Sequence, residues 1–115
     1  MFGMVSRKVW TRKYPADSEN RCPLAMRIFL AETGDRLVLF DTGVGEAVVD
    51  GMAYYRFHDL HLASQAVADL GFRPEEVTDV VLSHLHFDHC GGSVIRDEQG
   101  KLRPAFPQAT YWASS

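Results

Sequence analysis

The sequence predicts a mixed α/β fold in which a helix covers a sheet, and three observations carry that prediction. Two apolar runs, Leu24 to Ala31 and Arg36 to Phe40, flank a turn built from Thr33, Gly34 and Asp35, which is a hairpin pattern. From about Asp59 onward, Leu60, Ala63, Val67 and Leu70 recur at three- and four-residue steps, as on one face of a helix. A short β-branched run, Thr78 to Ser83, then leads into a cluster of three histidines and an aspartate within six residues.

Taken in order, "SRKVWTRK" sets Arg7, Lys8, Arg12 and Lys13 around Trp10. Its plain reading is a solvated strand face, and its sharper one an anion-steering patch. "YPADSENRCP", with two prolines, is a loop. The second hairpin strand, "LVLF", is nearly continuously apolar, which fits burial on both faces. Asp41, Gly43, Gly45 and Gly51 indicate tight turns after it. Gly71 is placed to end the helix, and Pro74 suits the first position of a short turn. After Gly92 come a turn near Gly100, a proline-bounded connection and a short strand near Ala109 to Trp112.

The 115 residues amount to one small domain. A hydrophobic content of 46% with 23% charged residues is ordinary for a globular protein, and such a chain buries a modest core. The net charge of −3 gives no reason to expect nucleic acid or an anionic membrane as partner. No apolar run approaches the roughly 20 residues that span a bilayer, and "MFGMVSRKVW" lacks the features of a signal peptide. Cys22 and Cys90 do not make a disulfide framework. Reduced thiols fit a cytoplasmic location, and a small molecule is the expected partner.

The polar cluster is "SHLHFDHCGG", in which His84, His86, Asp88 and His89 fall within six residues. In an extended segment residues two apart point the same way, so His84 and His86 can reach one metal ion together. Asp88 and His89 follow where the chain must turn and can face a second position. Imidazole and carboxylate are ligands for zinc, with iron and manganese also possible. Crowding four such groups for packing alone would leave polar atoms without partners. Gly91 and Gly92 let the backbone turn closely behind the ligands. Cys90 is either a packing residue or a further soft ligand. His58 and His61 lie three apart upstream, as surface histidines or as pocket residues.

The run His84-Leu85-His86-Phe87-Asp88-His89 followed by Gly91-Gly92 resembles the HxHxDH motif of the metallo-β-lactamase superfamily. "LVLFDTG" resembles that family's strand and DTG turn, "VADLGFRPEEVTDVVLSHLHFDH" its helix and strand leading into the site, and "FPQATYW" a strand shortly after it. The resemblance runs from about Val9 to Trp112. It implies a four-layer αββα sandwich with a dinuclear zinc centre at the sheet edge. His84 and His86 would bind one metal, and Asp88 and His89 the other. A hydroxide between the metals would attack a carbonyl or phosphoryl centre, with Asp88 as the catalytic carboxylate that orients it. Asp41 of the DTG turn would orient a ligand from behind, or serve only as a turn aspartate bonding its own backbone.

The family completes its site with later residues: a histidine on the first metal, a bridging aspartate and a histidine on the second. Here no histidine follows His89, and Asp97 and Glu98 are the only later acidic residues. The expectation is therefore a single partial domain over residues 1–115, the N-terminal half of the sandwich, with the rest supplied by absent sequence or by another chain, including a second copy in a homo-oligomer. "HLHFDHCGG" and "NRCPLAMR" look closer to lactonases and related ester or organophosphate hydrolases than to antibiotic-degrading β-lactamases. Two alternatives stand beside that: a non-catalytic remnant that binds metal weakly, and a family nuclease, which the mildly acidic composition disfavours.

Overall fold

The computed structural model describes residues 3–114. Its centre is a four-stranded sheet in the order β1 (Phe29–Thr33), β2 (Arg36–Phe40), β3 (Asp79–Leu82) and β6 (Thr110–Ala113). Strands β1 (Phe29–Thr33) and β2 (Arg36–Phe40) form the expected hairpin, closed by Gly34 and Asp35. Gly34 sits at φ +61°, a conformation glycine adopts without a Cβ penalty. Strand β3 (Asp79–Leu82) lies parallel to β2, and β6 (Thr110–Ala113) parallel to β3. A small second sheet pairs β4 (Val94–Arg96) with β5 (Leu102–Pro104) around the turn at Gly100.

The helical elements are short: α1 (Arg7–Trp10), α2 (Glu46–Val49), α3 (Ala63–Asp69) and α4 (Phe87–Cys90). Segments of 3-10 helix cover Asp50–Tyr55 (kinked at Met52), Pro74–Glu76 and Gly91–Ser93. One apolar cluster joins Leu37 and Leu39 of β2, Val80 and Leu82 of β3, Ala63 and Val67 of α3, and Val77, Ala105 and Phe106 from the connections. Phe106, Leu39, Val67, Val77 and Val80 are fully enclosed. Each such large side chain contributes about 1.5–3 kcal/mol by leaving water.

Several expectations are corrected. The basic segment is a helical turn and not a strand face, because among the described residues no strand pairs with it and its own backbone closes the bonds Val9 N–H to Ser6 and Thr11 N–H to Arg7. The first hairpin strand starts at Phe29, not Leu24. Its partner β2 has five residues, and the register Phe29↔Phe40 through Thr33↔Arg36 uses them all. Helix α3 starts at Ala63, since Arg56 and Asp59 take left-handed backbone angles upstream of it. Only Ala63 and Val67 of the predicted stripe are buried, while Leu70 is exposed. The cap at Gly71 is found, at φ +90° with its N–H on the Ala68 carbonyl.

Strand β2 is likewise not buried on both faces. Leu37 and Leu39 are enclosed, but Val38 is half-buried and Phe40 is 42% exposed. Alternation along the paired strands puts Phe29, Val38, Phe40, Val81 and Trp112 together on the face opposite the core. Among the described residues that face carries no second layer, which is why an apolar strand ends up one-sided.

The same face holds a buried carboxylate. Asp79 accepts hydrogen bonds from the Arg36 guanidinium, from Thr78 Oγ1 at 2.7 Å and from Trp112 Nε1 at 2.8 Å. Arg36 first, then Thr78 and Trp112, hold its carboxyl at about 2, below the ordinary 3.8. A carboxylate with a depressed folded-state pKa stabilises the fold above its unfolded value, and that stabilisation is lost as pH falls from about 4 through 2. The melting temperature of the wild type is therefore expected to fall more steeply over that window than that of Asp79→Asn. Parallel curves for the two in acid-titrated thermal melts would refute the assignment.

Candidate metal centre

Two loops meet at the carboxyl ends of the parallel strands β2 and β3. The first is the DTG turn after β2. Asp41 adopts φ +57°, and its N–H bonds the Val81 carbonyl at 2.9 Å, continuing the β2–β3 pairing one residue past the strand. Left-handed angles at a non-glycine residue cost about 1–3 kcal/mol. Here the carboxylate compensates by taking three partners: Oδ1 accepts the Ser83 N–H at 2.8 Å, and Oδ2 faces Ser83 Oγ and His89 Nδ1, each at 2.8 Å. Partial burial alone would raise the Asp41 carboxyl. The bonds from His89 and from the Ser83 backbone and hydroxyl outweigh it, and the net displacement is downward.

The second loop carries the histidine motif. It leaves β3 at Ser83, runs irregularly to His86, and turns into the single helical turn α4, which contains Asp88 and His89. The loops are joined by their backbones. Thr42, fully buried, donates its N–H to the His89 carbonyl at 2.7 Å, and Gly92 donates to the Gly43 carbonyl at 2.9 Å. Glycine is required where they touch. A Cβ on Gly92 would lie 2.2 Å from the Thr42 carbonyl oxygen, and one on Gly45 would lie 2.2 Å from that of Gly91. Gly91 and Gly92 thus serve close approach between two loops and not an unusual turn.

The structure brings His84, His86 and His89 together: ring centroids are 4.6 Å apart for His84 and His86, and 4.0 Å for His84 and His89. Asp88 Oδ2 stands 3.6 Å from His89 Nε2. Among the described residues, no three histidine, cysteine, aspartate or glutamate side chains converge as a complete set around one ion. The 3.6 Å between Asp88 Oδ2 and His89 Nε2 is close to the spacing of two donors on one ion. Two donors each about 2.0–2.2 Å from a tetrahedral metal stand roughly 3.4 Å apart. Asp41 contacts the Nδ1 side of His89, as well as the backbone beside it.

His58 and His61 are elsewhere. Both precede α3, both are exposed, and they face Asp59 and Asp69 respectively. Cys90 packs against the apolar core. Sequence reasoning missed Ser83, whose hydroxyl stands among Asp41, His84 and His89. The available signal was a hydroxyl residue directly before the first motif histidine. It also missed an aromatic group beside the motif. Phe87 lies 5.2 Å from Tyr55 and 6.5 Å from Phe57, between ring centroids, and Tyr55 and Phe57 stack at 5.8 Å.

The class the fold and site define is a mixed α/β sheet that gathers imidazoles and carboxylates in loops at the carboxyl ends of its parallel strands. The model of the metallo-beta-lactamase superfamily matches residues 27–100, and the chain belongs to that superfamily. A probable metallo-hydrolase of Mycobacterium tuberculosis is 36% identical over 78 residues, covering 60% of this chain and 25% of that protein. The chain thus spans about a quarter of that relative's length. A probable metal-dependent hydrolase from Staphylococcus aureus superposes with a TM-score of 0.73 at 24% identity, over 96% of this chain and 39% of that one, and shares its fold. The dizinc quorum-quenching lactonase AidC matches with a TM-score of 0.50 at 34% identity, over 73% of this chain and 24% of that one.

Proposed function

We propose that the chain is the amino-terminal part of a zinc-dependent hydrolase that opens lactones or cleaves related small esters. The observation that carries this reading is the pair His89 and Asp88: one imidazole edge is held by Asp41 and the other stands 3.6 Å from a carboxylate. Similarity to a lactonase, and an aromatic group at Tyr55, Phe57 and Phe87 able to accept an apolar substituent, support the substrate class.

In this reading His84, His86, Asp88 and His89 hold the metal ions, zinc in preference to iron or manganese. Zinc held there would make hydroxide available at neutral pH by lowering the pKa of its bound water, and would polarise the substrate carbonyl. The protein's own part is orientation and proton handling. Asp41 keeps the His89 ring in one orientation, and Asp88 would orient the nucleophile, take up the proton that the nucleophile loses on attack and pass it to the leaving oxygen. The remaining ligands come from residues beyond this span or from another chain. The partner is a small molecule, with no nucleic acid or membrane involved. Among the described residues no helix is long and apolar enough to cross a bilayer. Two free cysteines, Cys22 and Cys90, accord with the cytoplasm.

The test is zinc content by mass spectrometry together with ring opening of an acyl lactone and cleavage of an aryl ester. With the remaining ligands supplied, in the full-length protein or the complete assembly, about two zinc ions per completed site with chelator-sensitive turnover is the expected result. Substoichiometric zinc without turnover would favour a metal-binding remnant, the reading that the incomplete donor set supports.

A further inference from the structure

We infer that Ser83 is a positioning residue that fixes which ring nitrogen of His84 faces the metal. The inference rests on the hydrolase reading for its purpose, but not for its evidence, which is a count of donors and acceptors.

The Ser83 hydroxyl has one hydrogen and two lone pairs. Its neighbours are Asp41 Oδ2 at 2.8 Å, His84 Nδ1 at 3.1 Å and His89 Nδ1 at 3.3 Å. An ionised carboxylate can only accept, so the single Ser83 hydrogen points to Asp41. The hydroxyl oxygen is then left as an acceptor towards His84, and His84 Nδ1 must carry the hydrogen that fills it. His89 Nδ1 is assigned in the same way by its own 2.8 Å contact with Asp41 Oδ2. Both imidazoles therefore keep their hydrogens on the side facing Ser83 and Asp41. The lone pair of each is left on Nε2.

The two assignments differ in origin. His89 depends on Asp41 directly. His84 depends on Asp41 only through the Ser83 hydroxyl, since no bond from His84 to Asp41 is formed. Ser83 is itself tied down, because its backbone N–H bonds the other oxygen of the same carboxylate at 2.8 Å. One carboxylate thus sets two rings, and the hydroxyl is the link to the second. A hydrogen bond that holds a ligand ring from behind in this way is worth about 10–100-fold in metal affinity.

The experiment is nitrogen-15 NMR of the imidazoles in the intact, metal-free chain at pH 8, with Ser83→Ala and Ser83→Thr beside the wild type. In the wild type, His84 and His89 are expected as the Nδ1–H tautomer. Ser83→Ala should move His84 towards the Nε2–H form while leaving His89 unchanged, and Ser83→Thr, which keeps the hydroxyl, should restore the wild-type pattern. Zinc titration should show affinity about 10–100-fold weaker for the alanine variant and near wild type for the threonine variant. His84 found as Nε2–H in the wild type would overturn the inference, even if the alanine variant failed to fold. So would an unchanged His84 tautomer and zinc affinity in a folded alanine variant. A chain that turns over no lactone but gives the expected tautomers would count against the hydrolase reading and support this one.

Discussion

Alanine at both His84 and His86 is expected to weaken zinc binding by upwards of about 100-fold, since losing even one outer hydrogen-bond partner of a ligand costs 10–100-fold. The rings are neighbours, 4.6 Å apart, on a loop without regular structure, and neither belongs to the buried core. Their removal should therefore leave the fold intact, and far-ultraviolet circular dichroism should match the wild type. Competition with a chromophoric chelator measures the affinity. Zinc uptake equal to the wild type's would mean that these imidazoles do not hold the ion.

Gly92→Ala is expected to have the largest effect on the fold. Its added methyl would sit 2.2 Å from the Thr42 carbonyl oxygen, with Thr42 Cβ at 3.4 Å, so it meets backbone and not a flexible side-chain end. Overpacking of this kind costs about 1–3 kcal/mol, and more where backbone must move. Because Gly92 also donates to the Gly43 carbonyl, separating the loops breaks that bond too and pulls His89 away from Asp41. Urea denaturation should show a midpoint well below that of the wild type. Gly51→Ala is the matched control: nothing lies within 4 Å of its added Cβ, and it should be neutral or slightly stabilising. Equal midpoints for the two variants would show that the close approach is not a constraint.

The fold was legible in the sequence wherever the signal was local. The hairpin turn at Gly34, the helix stop at Gly71, the strand before the motif and the last strand were all placed within a few residues. Errors arose where a pattern was correct but its partner was missing. Leu24 to Ile28 form no strand because β2 is too short to pair with them. "LVLF" is apolar throughout, but only one side of it meets the core. Leu60 continues the helical stripe but lies outside the helix, because left-handed residues break the chain before α3, and Leu70 falls at the helix's carboxyl end, where it is exposed.

The composition of the candidate site was equally plain, because four ligand-type residues within six announce themselves. What surrounds them was not. Asp41 reaches Ser83 across 42 positions and His89 across 48. No local period encodes such a meeting.

The sequence alone determined the supply of imidazoles and carboxylates, their spacing, and the period-two and three-to-four-residue patterns that make strands and a helix. Tertiary structure alone decided which ring edge meets a carboxylate, where glycine is required, and which sheet face stays uncovered. The physical reason is the parallel register of Phe40 with Val81: it carries the turn after one strand to the loop after the other, and so chooses partners that chain order leaves open.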